Sequence, residues 1–294
     1  MPLSRFAAFA LNHLTIWYKI NVILSSMARD VLTQRLLKPP PNRIDIRSDL
    51  AHFALIQYAV PKTRLIPQIP QERFIIPEFE IDGEKKALLS VVPFLDEDFN
   101  FYRLTPFWKM HFAQTNHRVY VIDRQTGEQM VWFLGTTLGS RMVHPAQWLW
   151  QIPWHFAKYQ MNCVYNPSAS RYETYHIQME SEWCSGTIEI EDTGKPIELC
   201  AGFTSMDEMM LILTHPVQGY YWCRNGRLGG YSVWHEIMQL TQGKPKNIYL
   251  SLYERLGILS REEMQTPHSI FICPNITFDV HIPPKNFKQL EDSN

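Results

Sequence analysis

Three places in this 294-residue chain combine residue types that could do chemistry. The first is Pro153-Trp154-His155, where a neutral imidazole could act near pH 7 as a general base or hydrogen-bond donor. The same ring could instead be satisfied by a backbone carbonyl among aromatic neighbours. The second is Arg118 in RVYVID, whose planar fork suits a ligand carboxylate. It could equally pair with an acidic strand neighbour such as Glu128. The third is His235-Glu236, a base beside an orienting carboxylate, although adjacent strand residues point to opposite faces. Tyr120, Trp132, Trp154 and Trp222 are the aromatics best placed to line a cavity, or else to pack the core. His155 is therefore the catalytic candidate, and Arg118, Tyr120, Trp132, Trp154, His155 and His235 form the candidate ligand-binding set.

Other chemistries lack their signatures. The chain has no HExxH, GxSxG or P-loop, and no GxGxxG follows a strand. Gly135–Gly139 is an isolated small-residue loop, a poor phosphate signal. The histidines lack the close spacing of a metal site, so no metal and no cofactor are expected. Lys85-Lys86 could depress one another's pKa, but beside a turn they read as a solvated strand entrance.

The elements that must position these groups follow from pattern. Val119 and Val121 alternate with Arg118, Tyr120 and Ile122, the period of a strand. A turn over Asp123–Gly127 leads to a second strand at Met130–Leu134. Pro145 can open a helix that Pro153 then stops. Before this centre, His52–Val60 suits a first strand, and Pro61-Lys62-Thr63 the start of a short helix near Leu65. Asp82-Gly83 predicts a hairpin joining Phe79–Ile81 to Lys86–Phe94. After it, Arg171–Ser181 and Gly186–Ile190 read as paired strands. Ser205 and Glu208 signal a helix start, with the helix stopping by Pro216. Asn225-Gly226 predicts a hairpin between Tyr220–Cys223 and Leu228–His235. Asn247–Leu256 reads as a helix capped by Gly257, and Ser269–Cys273 and Ile276–Ile282 as strands interrupted at Pro274. Many strands with few helices give an α+β fold built on a curved antiparallel sheet.

Composition bounds the class. With 45% apolar residues the chain can bury a sizeable core, and a formal charge of −1 offers no field for nucleic acid. Five widely spaced cysteines contain no CxxC pair, which suits reduced thiols in a cytoplasmic compartment. The Asn275-Ile276-Thr277 sequon matters only in a secreted chain. No apolar run reaches about 18 residues, so no spanning helix is expected.

Residues 3–37 carry an apolar stripe from Phe6 to Met27 with mostly positive charges. Such a stripe must rest on the main domain, on another copy of the chain, or on a membrane surface as a peripheral contact; packing against protein is favoured. The scarcity of acidic residues also suits an organellar transit peptide. The expected organisation is an N-terminal helical extension and proline-rich linker over 1–48, a domain over 49–285, and a frayed tail over 286–294.

LIQYAVPKTRLIP, RVYVID, VWFL, QIPWHFAKYQM, GYYWCRNGRLGG, SVWHE and HSIFICPNITFDVHIPP occur in an order that resembles the YqjF-like family, itself similar in fold to acetoacetate decarboxylase. The resemblance covers residues 50 to 285. It implies a cone or closed sheet with flanking helices and an internal cavity for a small apolar or carboxylate-bearing molecule. In acetoacetate decarboxylase two lysines follow the corresponding proline, and one forms a Schiff base with the substrate; that enzyme's lowered lysine pKa is a standard example of such activation. Here Trp154 and His155 stand there, with Lys158 nearly a helical turn further on, and an imidazole cannot form an imine. Gln147 also replaces an arginine that YqjF-like proteins often carry. The expectation is a binding protein without Schiff-base chemistry. The alternative is a lyase- or isomerase-type enzyme acting on an oxo acid or enolisable substrate, with His155 as proton carrier and Arg118 as carboxylate anchor.

Overall fold

The computed structural model describes residues 26–40, 42, 45–102, 107, 109–141 and 143–286. The stripe from Phe6 to Ile23 and the tail beyond 286 lie outside the described residues. Strands β1 (Ile46–Val60), β4 (Glu84–Phe101), β5 (Met110–Asp123), β6 (Gln129–Leu138), β11 (Gln218–Trp222), β12 (Leu228–His235) and β14 (Ser269–Asn286) follow one another edge to edge. Because β14 also pairs with β1 over Ile46–Gln57, they close into a ring. All neighbours in the ring are antiparallel except β6 and β11. A wing of β13 (Thr241–Leu250), β10 (Gly186–Pro196), β9 (Arg171–Glu180) and β8 (Lys158–Asn166) continues from β14. The short strands β2 (Phe74–Ile75), β3 (Phe79–Ile81) and β7 (Trp154–Phe156) pair with β5, β4 and β6.

Period-two alternation sorts side chains into two cores. Phe53, Phe94, Val131 and Phe133 belong to the cluster inside the ring. Val119, Val121, Met130 and Trp132 pack instead with wing residues Ile177, Ile188 and Ile248. On β1 the alternation changes phase at His52, which sits at φ 53° within the register shift between Ala51 and Ile56. This bulge lets Leu50 and Phe53 share one cluster although they are three residues apart. Pro274, which has no N–H to give the ladder, lies opposite that point, between Cys273↔Phe53 and Asn275↔Ala51. The two late strands expected around it are therefore one strand.

Two further expectations change. Residues 247–250 end β13 rather than open a helix, because Ile248 and Leu250 alternate into the core opposite Ile188 and Gly186. Only Ser251–Arg255 is helical there (α4), with Gly257 at φ 66° behind it. The segment after Pro153 continues as β7 and then β8, so Lys158 lies on the outer strand of the wing. The hairpin at Asp82-Gly83 forms as expected, with both residues at positive φ. The Lys85-Lys86 pair is at its entrance, Lys86 bonding Glu84 at 3.1 Å.

Helix α2 (Val143–Trp150) and helix α3 (Met206–Thr214) flank the ring. Ser205 caps α3 by accepting the Glu208 N–H at 3.2 Å. The Glu208 carboxylate reaches back to Thr204 rather than Ser205, so the capping box is shifted by one residue. Helix α5 (Arg261–Met264) closes the α4 segment against the wing.

Residues 26–35 form helix α1, which packs Ala28 and Leu32 against Met210 and Leu211 of α3. Arg35 donates to the carbonyls of His215 at 2.6 Å and Gln129 at 3.1 Å, and Trp234 donates to Leu36 O at 3.2 Å. Lys38 adds an ion pair with Asp279 at 2.6 Å. No described helix is long and apolar enough to cross a membrane. Leu32→Ala is expected to cost about 2–3 kcal/mol through cavity formation, a fall of roughly 4–10 °C in Tm. An unchanged melting curve would show that α1 is undocked in solution.

Candidate functional site

Residues from every strand of the ring line one internal cavity of about 110 Å³. Pockets for drug-sized ligands run to roughly 300–1,000 Å³, so this one suits a molecule of only a few carbons. Its wall is mostly apolar, from Leu50, Phe53, Val92, Phe94, Phe133 and Phe278. Its polar residues are Ser48, Asp96, Gln114, Asn116, Arg118, Thr214, Tyr231 and His235. Gly219 completes it: a Cβ there would stand 2.2 Å from the Phe133 ring, which is stacked on Tyr231 at 5.4 Å.

Arg118 reaches the cavity because it alternates with His117 and Val119, which face the wing. Its Nε–H donates to Ser90 Oγ at 2.7 Å and one terminal nitrogen to Leu213 O at 3.4 Å. The carbonyl end of α3 is thus laid against the guanidinium, the favourable end of a helix for a cation. Among the described residues the other terminal nitrogen has no partner, and no ion pair joins Arg118 to Glu128 or to Asp96. One edge of the fork is therefore open to a ligand.

His235 shares the cavity but is not poised as a base. Its Nδ1 lies 2.7 Å from Glu236 O and its Nε2 3.0 Å from Thr214 O. Phe278 stacks on it at 4.3 Å and His215 lies at 4.4 Å. Burial first, with Arg118 adding to it, lowers its pKa to about 4, so the ring is neutral and carries one hydrogen between two carbonyls. The orienter expected of Glu236 is its backbone carbonyl, and its side chain is exposed.

The remaining candidates lie elsewhere. His155 stacks on Trp183 at 4.2 Å with an interplanar angle of 2°, on the face of β5 opposite Arg118. Burial and then the cations Arg224 and Arg255 lower its pKa to about 4. Its neighbour His117 is fully buried against Trp183 and Tyr253, and desolvation takes its pKa to about 3. The expected partnership of His155 with Arg118 is thus not assembled, because adjacent β5 residues separate them by the thickness of the sheet. Trp132 packs outside the ring on Phe74 and Trp222. Trp154 sits between the cluster of Phe112, Leu138 and Val143 and the ring interior, and Trp222 is half-exposed. Tyr120 is inside but beneath the cavity, its hydroxyl 2.8 Å from Gln57 Oε1 and 3.1 Å from Leu213 O. Gly135 serves close packing rather than phosphate, since a Cβ there would meet the Trp183 ring at 2.6 Å.

Asp96 is the buried cavity-lining group that pattern reading missed. It is 3% exposed, and its Oδ1 accepts the Ser48 hydroxyl at 2.7 Å while Oδ2 has no partner among the described residues. Burial, opposed only by that bond, raises its pKa to about 7. The signal was available: Asp96 continues the inward phase of Val92 and Phe94, although Leu95-Asp96-Glu97-Asp98 reads as a solvated acidic run. Among the described lining residues there is no lysine, and no described group of His, Cys, Asp and Glu is placed to hold a metal.

Solved structures show the same fold at low identity. The biosynthetic enzyme MppR complexed with pyruvate superposes with a TM-score of 0.53 and 12% identity, covering 85% of this chain and 91% of the other. Acetoacetate decarboxylase from Legionella pneumophila gives 0.50 and 12%, covering 87% and 94%. No curated protein matches in sequence. The departure at Trp154-His155 and a described cavity lining without lysine thus sit on an acetoacetate-decarboxylase-like fold, and over residues 47–277 the chain matches DUF2071, a family of uncharacterized conserved proteins, to which it belongs.

Proposed function

We propose that the ring interior binds a small carboxylate-bearing molecule without forming a covalent bond to it. The open edge of Arg118 carries this reading, as the one cationic side chain among the described lining residues of an otherwise mainly apolar cavity. A guanidinium in such a wall is incompletely solvated, so a carboxylate that bridges its free edge gains a charge-assisted hydrogen bond in a low-dielectric setting. The structural neighbour complexed with pyruvate has the same fold, which supports a small organic acid as occupant. The lack of an amine on the described wall supports non-covalent binding.

The test is calorimetric titration with short carboxylates, pyruvate included, against their neutral amides. Arg118→Met is expected to weaken carboxylate binding about 10- to 100-fold, the worth of a hydrogen bond to a charged group, while leaving amide binding unchanged. Borohydride treatment in the presence of pyruvate is expected to leave the protein mass unaltered. A stable adduct at a lysine, or equal carboxylate affinity in Arg118→Met, would overturn the reading.

A further inference from the structure

Arg118 accounts for one end of a ligand and leaves the carboxyl group in the described cavity wall unused. Asp96 enters from β4, a residue 3% exposed, with one donor at Oδ1 and none at Oδ2 among the described residues. A carboxylate in a native interior is normally held by several donors or a cation. Here the facing groups do not supply them. From β1 come Ser48 and Leu50, from β14 Phe278 and Val280, from β12 Tyr231 and His235, from β5 Arg118, and from the α3 end Thr214 and Pro216. His235 is turned to two carbonyls, and no described cation lies within ion-pair distance of Asp96. Neighbouring charges point away: Asp49 accepts from Thr277, Asp98 pairs with Lys109, and Asp279 pairs with Lys38.

We infer that Asp96 is the cavity's second recognition group, that it serves as a neutral acid donating its O–H to the ligand, and that it selects carboxylates bearing a hydrogen-bond acceptor a few bonds away. This rests on the Arg118 reading and adds to it a specificity determinant. The alternative chemistry is an ionised Asp96 pairing with a ligand ammonium. It would place an anion in a wall of Leu50, Phe53 and Phe94 before the ligand arrives, and it is the less favoured state on that ground. The raised pKa agrees with the neutral form.

Three probes of nearly equal size separate the cases: methoxyacetate, with an acceptor oxygen; butanoate, with none; and β-alanine, with an ammonium. At pH 6 the unaltered protein is expected to prefer methoxyacetate over butanoate by about fivefold, one neutral hydrogen bond. Asp96→Ala is expected to erase that preference. Asp96→Asn, whose amide can still donate, should retain it and remove the fall in methoxyacetate affinity otherwise seen from pH 7 to 9. Thermal melts of both variants establish that they fold. A preference unchanged in Asp96→Ala, or tighter binding of β-alanine than of methoxyacetate, overturns this inference and leaves Arg118 as the anchor. Equal and Arg118-independent binding of methoxyacetate and butanoate, or no binding of either, overturns the anchor as well.

Discussion

Lowering the pH from 6.5 to 4.5 is expected to remove about 5 kcal/mol of stability, a loss of the order of a whole small domain's margin. The main cause is three buried neutral imidazoles; His155, lowered to about 4 but partly exposed, adds a smaller loss in the same sense. Desolvation lowers His117 to about 3, His215 to about 3 and His235 to about 4, from an unperturbed 6.5. Below pH 6.5 the unfolded chain protonates them and the folded chain does not. A lowered imidazole pKa therefore contributes stability that is intact above 6.5 and is lost as pH falls toward 3–4. Asp96 acts in the opposite sense, since its raised pKa favours the folded state increasingly as pH falls from 7 to about 4. Three groups against one leave roughly two protons, or about 3 kcal/mol per pH unit. Denaturant melts at pH 7, 6 and 5 measure it directly. His117→Gln should flatten the slope by about 1.4 kcal/mol per unit. Equal stability at pH 7 and 5 would show that the rings are hydrated or partnered by acceptors in solution.

Asp123→Ala is expected to cost about 3–5 kcal/mol, the usual effect of stranding a buried charge. Arg73 and Asp123 meet at 2.5 Å with side chains 9% and 1% exposed, where β2 joins the end of β5. Asp123 Oδ1 also accepts the Gln125 N–H at 2.8 Å, holding the turn into β6. Asp123→Asn keeps that turn bond and removes the charge, so it separates the two effects. The double replacement Arg73→Met with Asp123→Leu should regain most of the loss, because two apolar side chains need no counter-charge. A cost below about 1 kcal/mol for Asp123→Ala would mean that another acceptor reaches the guanidinium.

The strands around Arg118 and the hairpins at Asp82-Gly83 and Asn225-Gly226 were legible because turn chemistry and period two are local properties. Ser205 at the start of α3 was legible for the same reason. The end of β13 and the whole of β8 were not. Residues 247–250 satisfy both periods over so short a run, and only pairing with β10 decides between them. At the site, Arg118 and His235 could be named because charged or titratable residues within apolar strands stand out. Asp96 keeps the inward phase of Val92 and Phe94 yet was passed over within an acidic run, since its burial is completed only by closure of β14 onto β1, a contact more than 200 residues apart in sequence. His155 misled for the converse reason: its place after Pro153 suggested the cavity, whereas the parallel pairing of β7 with β6 turned it onto Trp183.

Closure of the ring has a consequence for how the chain acquires its structure. β14 pairs with β1, β12 and β13, so residues 269–286 are the keystone for both ring and wing. During synthesis β1 can pair with β4 early, but its second edge must wait for β14, made more than 200 residues later, and is exposed meanwhile. Long-range pairing of this kind slows folding and favours aggregation of incomplete chains. Nascent chains lacking residues 269–286 should therefore remain chaperone-dependent and protease-sensitive, and should become resistant only once that segment has left the ribosome.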